Sequence, residues 1–240
     1  MVDSTAFPPS VHGRHCKNPM KRLFIANWKM NPANAEAARS LFDGIRRSTE
    51  NVKGADVFAA VPFPFISFFA ARARPVVGAQ NVFWEKSGPY TGEVSPAMLR
   101  SVGAHFVIVG HSERRVHLGE TDVMINQKVK AALAAGLRVV LCVGERDRND
   151  ENFQHVVRSQ LLADLAGVPK NKARRLVVAY EPVWAIGTGK TVTAGDLFEM
   201  ATYIRRMLLD SFGKVTSLSI PILYGGSVNA KNAREFLSVN

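Results

Sequence analysis

Leu23-Phe24-Ile25-Ala26, followed at once by Asn27-Trp28-Lys29-Met30-Asn31, is the stretch that decides the fold. An apolar run this short, set behind Lys21-Arg22, reads as a strand buried on both faces, which is the signature of a parallel sheet packed between helices. A doubly wound sheet is expected to leave its first strand through a glycine-rich turn. This turn contains no glycine and presents an amide and an ammonium group instead. Working outward, six further short apolar runs follow: Val57–Val61, Val76–Ala79, Phe106–Val109, Val139–Val143, Leu176–Ala179 and Ile220–Leu223. Amphipathic segments at 33–47, 65–73, 96–102, 122–135, 152–165, 194–211 and 230–237 separate or follow them. Gly136 sits where a helix C-terminal glycine belongs, and Thr193 with Asp196 forms a helix start. The alternation predicts an α/β protein, a (β/α)8 barrel of which seven βα units are visible, with functional residues at the C-terminal ends of the strands.

Those strand ends carry chemistry. The first delivers Asn27 and Lys29, and the fourth delivers Gly110-His111-Ser112-Glu113-Arg114-Arg115. The sixth delivers Glu181, followed by Pro182-Val183-Trp184-Ala185-Ile186-Gly187-Thr188-Gly189-Lys190-Thr191. A loop with Pro at its entry and two glycines at its centre can pivot over a small site, and its free amides suit an anion. The seventh delivers Tyr224-Gly225-Gly226-Ser227-Val228, a glycine-rich turn suited to phosphate. Each signal alone is modest, but together they offer a base, a polar electrophile, a cation and a phosphate turn.

Composition narrows the class. The chain has 240 residues, 47% of them hydrophobic, with no shift marking a second domain and no apolar run near the ~18 residues of a membrane span. Two cysteines, Cys16 and Cys142, form no disulfide framework and no metal-ligand spacing, which fits a reducing cytoplasm. The formal charge of +11 is scattered without interleaved aromatics, so it suits a small anionic substrate better than nucleic acid. Residues 1–19 lack the pattern that follows and read as a disordered N-terminal extension, or as sequence upstream of a start at Met20. Residues 20–240 read as one barrel domain.

Asn27–Asn31, Val109–Arg115, Tyr180–Thr191 and Tyr224–Val228 resemble the four signature segments of the triosephosphate isomerase family. Gln80-Asn81 with 88–95, and Cys142-Val143-Gly144-Glu145, are also similar to that family. The resemblance implies a TIM barrel that interconverts dihydroxyacetone phosphate and glyceraldehyde 3-phosphate through an enediolate, with no cofactor and no metal. It implies Glu181 as the base and a neutral His111 as the electrophile at a helix N-terminus. Lys29 would stabilise negative charge, Asn27 would donate a hydrogen bond, and Glu113 would pair with or relay to Lys29. Ser112 would help set the site. Residues 182–190 would close as a lid, bringing Ile186 and the Gly187 amide to the substrate, while Gly226 and Ser227 bind its phosphate. The family is usually a cytoplasmic homodimer, so the Gln80–Glu93 loop would dock on a partner, with Thr91 reaching across.

The chain departs from that family at its end. Members continue with an eighth strand, a second Gly-Gly turn and a final helix, whereas the stretch from Met20 to Asn240 falls short of the ~250 residues of such barrels by about one βα unit. Residues 1–19 contain no apolar run of strand length. The expectation is therefore a gap between the first and seventh strands. Two functions stay open: an isomerase, or an impaired barrel kept as a binding or scaffolding subunit.

Overall fold

The computed structural model describes the backbone of residues 2–3, and residues 21–72, 74–148, 152–185, 192–230 and 232–237. Eight strands run in the order β1 (Val2–Asp3), β2 (Arg22–Asn27), β3 (Ala55–Val61), β4 (Val76–Ala79), β5 (Phe106–Val109), β6 (Arg138–Val143), β7 (Leu176–Tyr180) and β8 (Ile222–Tyr224). From β2 to β8 every neighbouring pair is parallel, giving seven parallel strands of a barrel with helices outside. β1 pairs antiparallel with both β2 and β8, setting Val2 opposite Phe24 and Tyr224. The gap expected between the first and last parallel strands is thus bridged by two residues. That run is too short to stand out in a sequence. Residues 4–19 lie outside the described residues.

The helices are α1 (Ala35–Thr49), α2 (Ile66–Phe69), α3 (Pro96–Ser101), α4 (Ser112–His117), α5 (Asp122–Ala134), α6 (Phe153–Asp164), α7 (Lys170–Ala173), α8 (Ala194–Phe212), α9 (Lys214–Leu218) and α10 (Ala233–Phe236). Their starts are chemically marked. Asn34 caps α1 by accepting from the Ala37 N–H, and Thr193 and Asp196 cap α8 reciprocally. Gly136, just past α5, has φ +80°, a left-handed conformation that costs glycine little.

The strands are buried on both faces because the barrel has two cores. Inside, Leu23, Ile25, Phe58, Phe106, Ile108, Val140, Cys142 and Val177 form a cluster built from strand residues alone. Outside, the alternate residues Val107, Val109, Val139, Leu141, Leu176 and Val178 pack against the helices. Interior packing dictates one glycine. Gly78 lies in register with Phe106, and a Cβ there would fall 2.3 Å from the ring. The ring is fully buried and tilted against Phe58 at 5.1 Å between centroids, so it has nowhere to go.

One half-buried cation ties the loop after β5 to its surroundings. Arg115 on α4 donates to the Gly110 carbonyl at 2.9 Å, to Asp164 Oδ2 at 2.7 Å and to Asp122. Asp164, at the end of α6, has no solvent exposure, and burial raises its carboxyl to about 8 despite the guanidinium, with Asp122 pushing the same way.

Gly78→Val should cost about 1–3 kcal/mol by overpacking the interior, and a chemical-denaturation midpoint equal to that of the parent chain would contradict this account. The raised Asp164 carboxyl makes the folded state bind a proton that the unfolded chain has released above its ordinary range near 3.8. Stability should therefore fall as pH rises through about 8. In Asp164→Asn that decline should flatten, and identical melting-temperature profiles of the two proteins would refute it.

Candidate active site

The ends of β2, β5, β7 and β8 converge on one rim of the barrel. Beyond β6 and β7 the backbones stay paired: the Glu181 N–H donates to the Val143 carbonyl at 2.8 Å and the Val183 N–H to the Glu145 carbonyl at 3.0 Å. Glu181 is thereby held on extended strand geometry although it lies one residue past β7. Its neighbours must be glycines. A Cβ on Gly144 would fall 1.7 Å from the Glu181 carbonyl oxygen, and one on Gly225 would fall 2.8 Å from Glu181 Cγ.

The Glu181 side chain is 1% exposed. Its Oε2 accepts from the Ser112 N–H at 2.8 Å, and Oε1 faces His111 Nε2 at 3.3 Å. That contact lacks hydrogen-bond alignment, so Oε1 is a buried acceptor with no hydrogen-bond partner among the described residues. His111 is the N-cap of α4, and its Nδ1 accepts from the Glu113 N–H at 3.3 Å. The arrangement puts a carboxylate oxygen and an imidazole nitrogen side by side, both buried.

Lys29 Nζ lies 2.5 Å from Glu113 Oε1, and Glu113 Oε2 lies 3.7 Å from His111 Nδ1. Both Lys29 and Glu113 are about half exposed. Lys29 adopts φ 53°, the left-handed region that non-glycine residues enter at a cost, and such strain concentrates at functional sites. The Asn27 Oδ1 holds the bend by accepting from the Lys29 N–H at 3.0 Å, which leaves the Asn27 amide NH2 as the group able to donate. Asn27, Lys29, His111, Ser112, Gly226 and Ser227 all border one cleft of about 350 Å³. A second cavity of about 530 Å³ adjoins it, with Ser112 common to both and Glu181 on its wall.

The structure therefore brings Asn27, Lys29, His111, Ser112, Glu113, Glu181, Gly226 and Ser227 together. Ile186 and Gly187 lie outside the described residues, as does the rest of the loop through Thr191. The turn after β8 differs in one respect from its sequence reading. The following helix starts at Ala233, not at Ala230, so Gly226 and Ser227 stand in a turn, away from a helix N-terminus. An anion there would rely on turn amides and the Ser227 hydroxyl, and Asn232 braces the turn by donating to the Ser227 carbonyl at 3.0 Å.

Sequence reading missed the support under the loop entry. Glu145 Oε1 accepts from the Tyr180 O–H at 2.7 Å and from Trp184 Nε1–H at 2.9 Å. Burial raises the carboxyl of Glu145, and burial together with that carboxylate raises the Tyr180 hydroxyl. Burial, and after it Glu181, likewise pushes the Cys142 thiol well up, so Cys142 stays a neutral interior residue. Charged residues near Trp184 in sequence gave no hint of Glu145, because the contact is made across strands. Among the described residues, no cluster of three or more His, Cys, Asp or Glu could hold a metal ion, and no helix is long and apolar enough to cross a membrane.

Comparison with known proteins agrees with this geometry. The family model described as "Triosephosphate isomerase" matches residues 22–240. A triosephosphate isomerase of Carboxydothermus hydrogenoformans is 45% identical over 228 residues, covering 91% of this chain and 89% of the relative. Those of Dehalococcoides mccartyi (strain BAV1) and Fusobacterium nucleatum are 43% and 42% identical, each covering 91% of this chain and, respectively, 87% and 89% of the relative. A match of this extent, on a barrel whose rim carries these groups, means that the chain belongs to the triosephosphate isomerase family.

Proposed function

We propose that the chain interconverts dihydroxyacetone phosphate and glyceraldehyde 3-phosphate by moving one proton between adjacent substrate carbons. The observation that carries this reading is the buried Oε1 of Glu181, without a hydrogen-bond partner among the described residues and 3.3 Å from His111 Nε2. Glu181 takes a proton from one carbon while the neutral His111 donates its Nε2–H toward the carbonyl oxygen, giving an enediolate. The same carboxylic acid then returns the proton to the neighbouring carbon, while the hydroxyl proton passes from one substrate oxygen to the other by way of His111 Nε2. Lys29, oriented by Glu113, offsets the enediolate's charge, Asn27 donates a hydrogen bond to it, and Ser112 holds Glu181 through its backbone N–H. Gly226 and Ser227 bind the phosphate, and Ile186 and Gly187 complete the pocket from the loop. The balance of the reaction is a proton shuttle within one substrate, so it calls for no cofactor. The names of the relatives support the substrates and a role in glycolysis, and a cytoplasmic location fits the same reading.

The scaffolding alternative has less behind it, because the polar groups of the rim remain within reach of one another. The position that an eighth parallel strand would take is held here by Val2–Asp3, and isomerisation by the chain is what separates the two readings. Purified protein should turn over triose phosphates, Glu181→Gln should abolish turnover, and Glu181→Asp should lower kcat by about 100-fold with KM nearly unchanged, since it withdraws the base by roughly 1 Å. Absence of turnover in the folded parent chain, or full activity in Glu181→Asp, would defeat the proposal.

A homodimer is part of the same proposal. The Gln80–Glu93 loop is braced from within by Phe83, which stacks on Trp84 at 4.1 Å and packs on Tyr90 at 4.7 Å, while Tyr90 and Thr91 face solvent. Met30, on the loop that bears Lys29, is 95% exposed, an unusual position for a large apolar side chain. Light scattering coupled to gel filtration should give twice the mass of the 26.3 kDa chain, and Thr91→Arg should shift the population toward monomer. A parent chain that runs as an active monomer would contradict this.

A further inference from the structure

Gln160 lies on α6, one turn before Asp164, and its side chain is spent on a single residue of the active-site rim. The Gly144 N–H donates to Gln160 Oε1 at 2.9 Å, and Gln160 Nε2–H donates to the Gly144 carbonyl at 3.1 Å. A side-chain amide that meets both polar groups of one residue copies what a neighbouring strand would supply. It does so where the strands run out, since β6 ends at Val143 and β7 at Tyr180. The residue it grips is the glycine on which Glu181 rests: no Cβ fits between Gly144 and the Glu181 carbonyl oxygen. Backbone hydrogen bonds on either side, Glu181 N–H to Val143 and Val183 N–H to Glu145, pass any movement of Gly144 on to Glu181.

We infer that Gln160 is a positioning residue for the proton transfer, fixing the Gly144 peptide and through it the backbone from which Glu181 projects. The chemistry leaves little room for slack. Among the described residues the Glu181 carboxylate is anchored by the Ser112 N–H on Oε2, with the Cys142 thiol nearby, while Oε1 has no hydrogen-bond partner. Its aim is then set by where its Cα stands, and displacement of a reacting group by about 1 Å can cost about 100-fold in rate. Gln160 does not line the cleft of about 350 Å³ that holds Asn27, Lys29 and His111, although it shares the adjoining cavity with Glu181, so it should act on turnover and leave substrate affinity alone. This inference rests on the isomerase reading above.

The test is a double-mutant cycle with a structural readout beside it. Gln160→Met keeps length and shape but removes both hydrogen bonds, and kcat should fall about 10-fold with KM within about 2-fold. In a Glu181→Asp background, where the base is already displaced, the same change should lower kcat by less than about 2-fold. Gln160→Glu keeps an acceptor for the Gly144 N–H and loses the donor to its carbonyl, so its kcat should fall between the two. That variant also carries the test if Gln160→Met does not fold. Equal losses in both backgrounds, or a change in KM alone, would overturn the positioning role. Amide hydrogen exchange at Gly144 and Glu181 reads the clamp in the absence of any turnover. Faster exchange at both amides in Gln160→Met is expected, and unchanged exchange would overturn the clamp itself. A parent chain without isomerase activity would defeat the functional reading while leaving the exchange result to judge Gln160.

Discussion

Backbone pairing between β6 and β7, carried one residue past the strands, is the constraint on which the site depends. A carboxylate at the mouth of a barrel would ordinarily be solvated and free to rotate. Here the Glu181 main chain is locked to Val143 and overlaid by Gly144 and Gly225, both too close to bear a side chain. Among the described residues the carboxylate has a backbone donor from Ser112, a histidine nitrogen in reach and the Cys142 thiol beside it. Every other group on the rim is arranged relative to that fixed point: His111 by the start of α4, α4 by Arg115, and Arg115 by two carboxylates from α5 and α6.

Arg115 and Lys128 show how charge serves architecture in this chain. Both sit among acids below the rim. Lys128 donates to Asn81 at 2.9 Å and to Glu120, although burial lowers its basicity. Replacing such groups with apolar residues is often neutral for stability, so their value lies in the geometry that they specify. Arg115 reaches the loop after β5 through the Gly110 carbonyl, and Lys128 reaches the loop after β4 through Asn81. Arg115 thus ties the loop after β5 to α5 and α6, and Lys128 ties the loop after β4 to α5.

What could be read in the chain follows from the range of the interactions. β4 and β5 stand at the residues their apolar runs indicate, and α8 begins at its Thr193–Asp196 box, because these are local patterns of hydrophobicity and capping. The last parallel strand begins at Ile222, after Ile220, because Pro221 between them has no N–H to give to a ladder. α4 was expected from the family resemblance, which put His111 at a helix N-terminus, and not from periodicity, since Ser112-Glu113-Arg114-Arg115 has no apolar face to give it away. β1 has only two residues and no periodicity at all. Of the rim, the residue types at strand ends were visible, as their chemistry is unusual for a strand terminus. The glycines against Glu181, the grip of Glu145 on Trp184 and the backing of Gln160 were not, because each joins residues whose proximity is created by strand register.

The fit of Gly78 against Phe106 has a consequence for how this barrel can change over generations. The two positions share one volume, and the ring already fills it. A lineage can shrink Phe106 first, tolerate the hole, and only afterwards enlarge residue 78. The reverse order passes through an overfilled interior and is closed. Once residue 78 has grown, restoring the phenylalanine is closed in turn, so the pair acts as a ratchet. Which aromatic and small residues line the inside of such a barrel then records the sequence in which substitutions arrived as much as the packing they now satisfy.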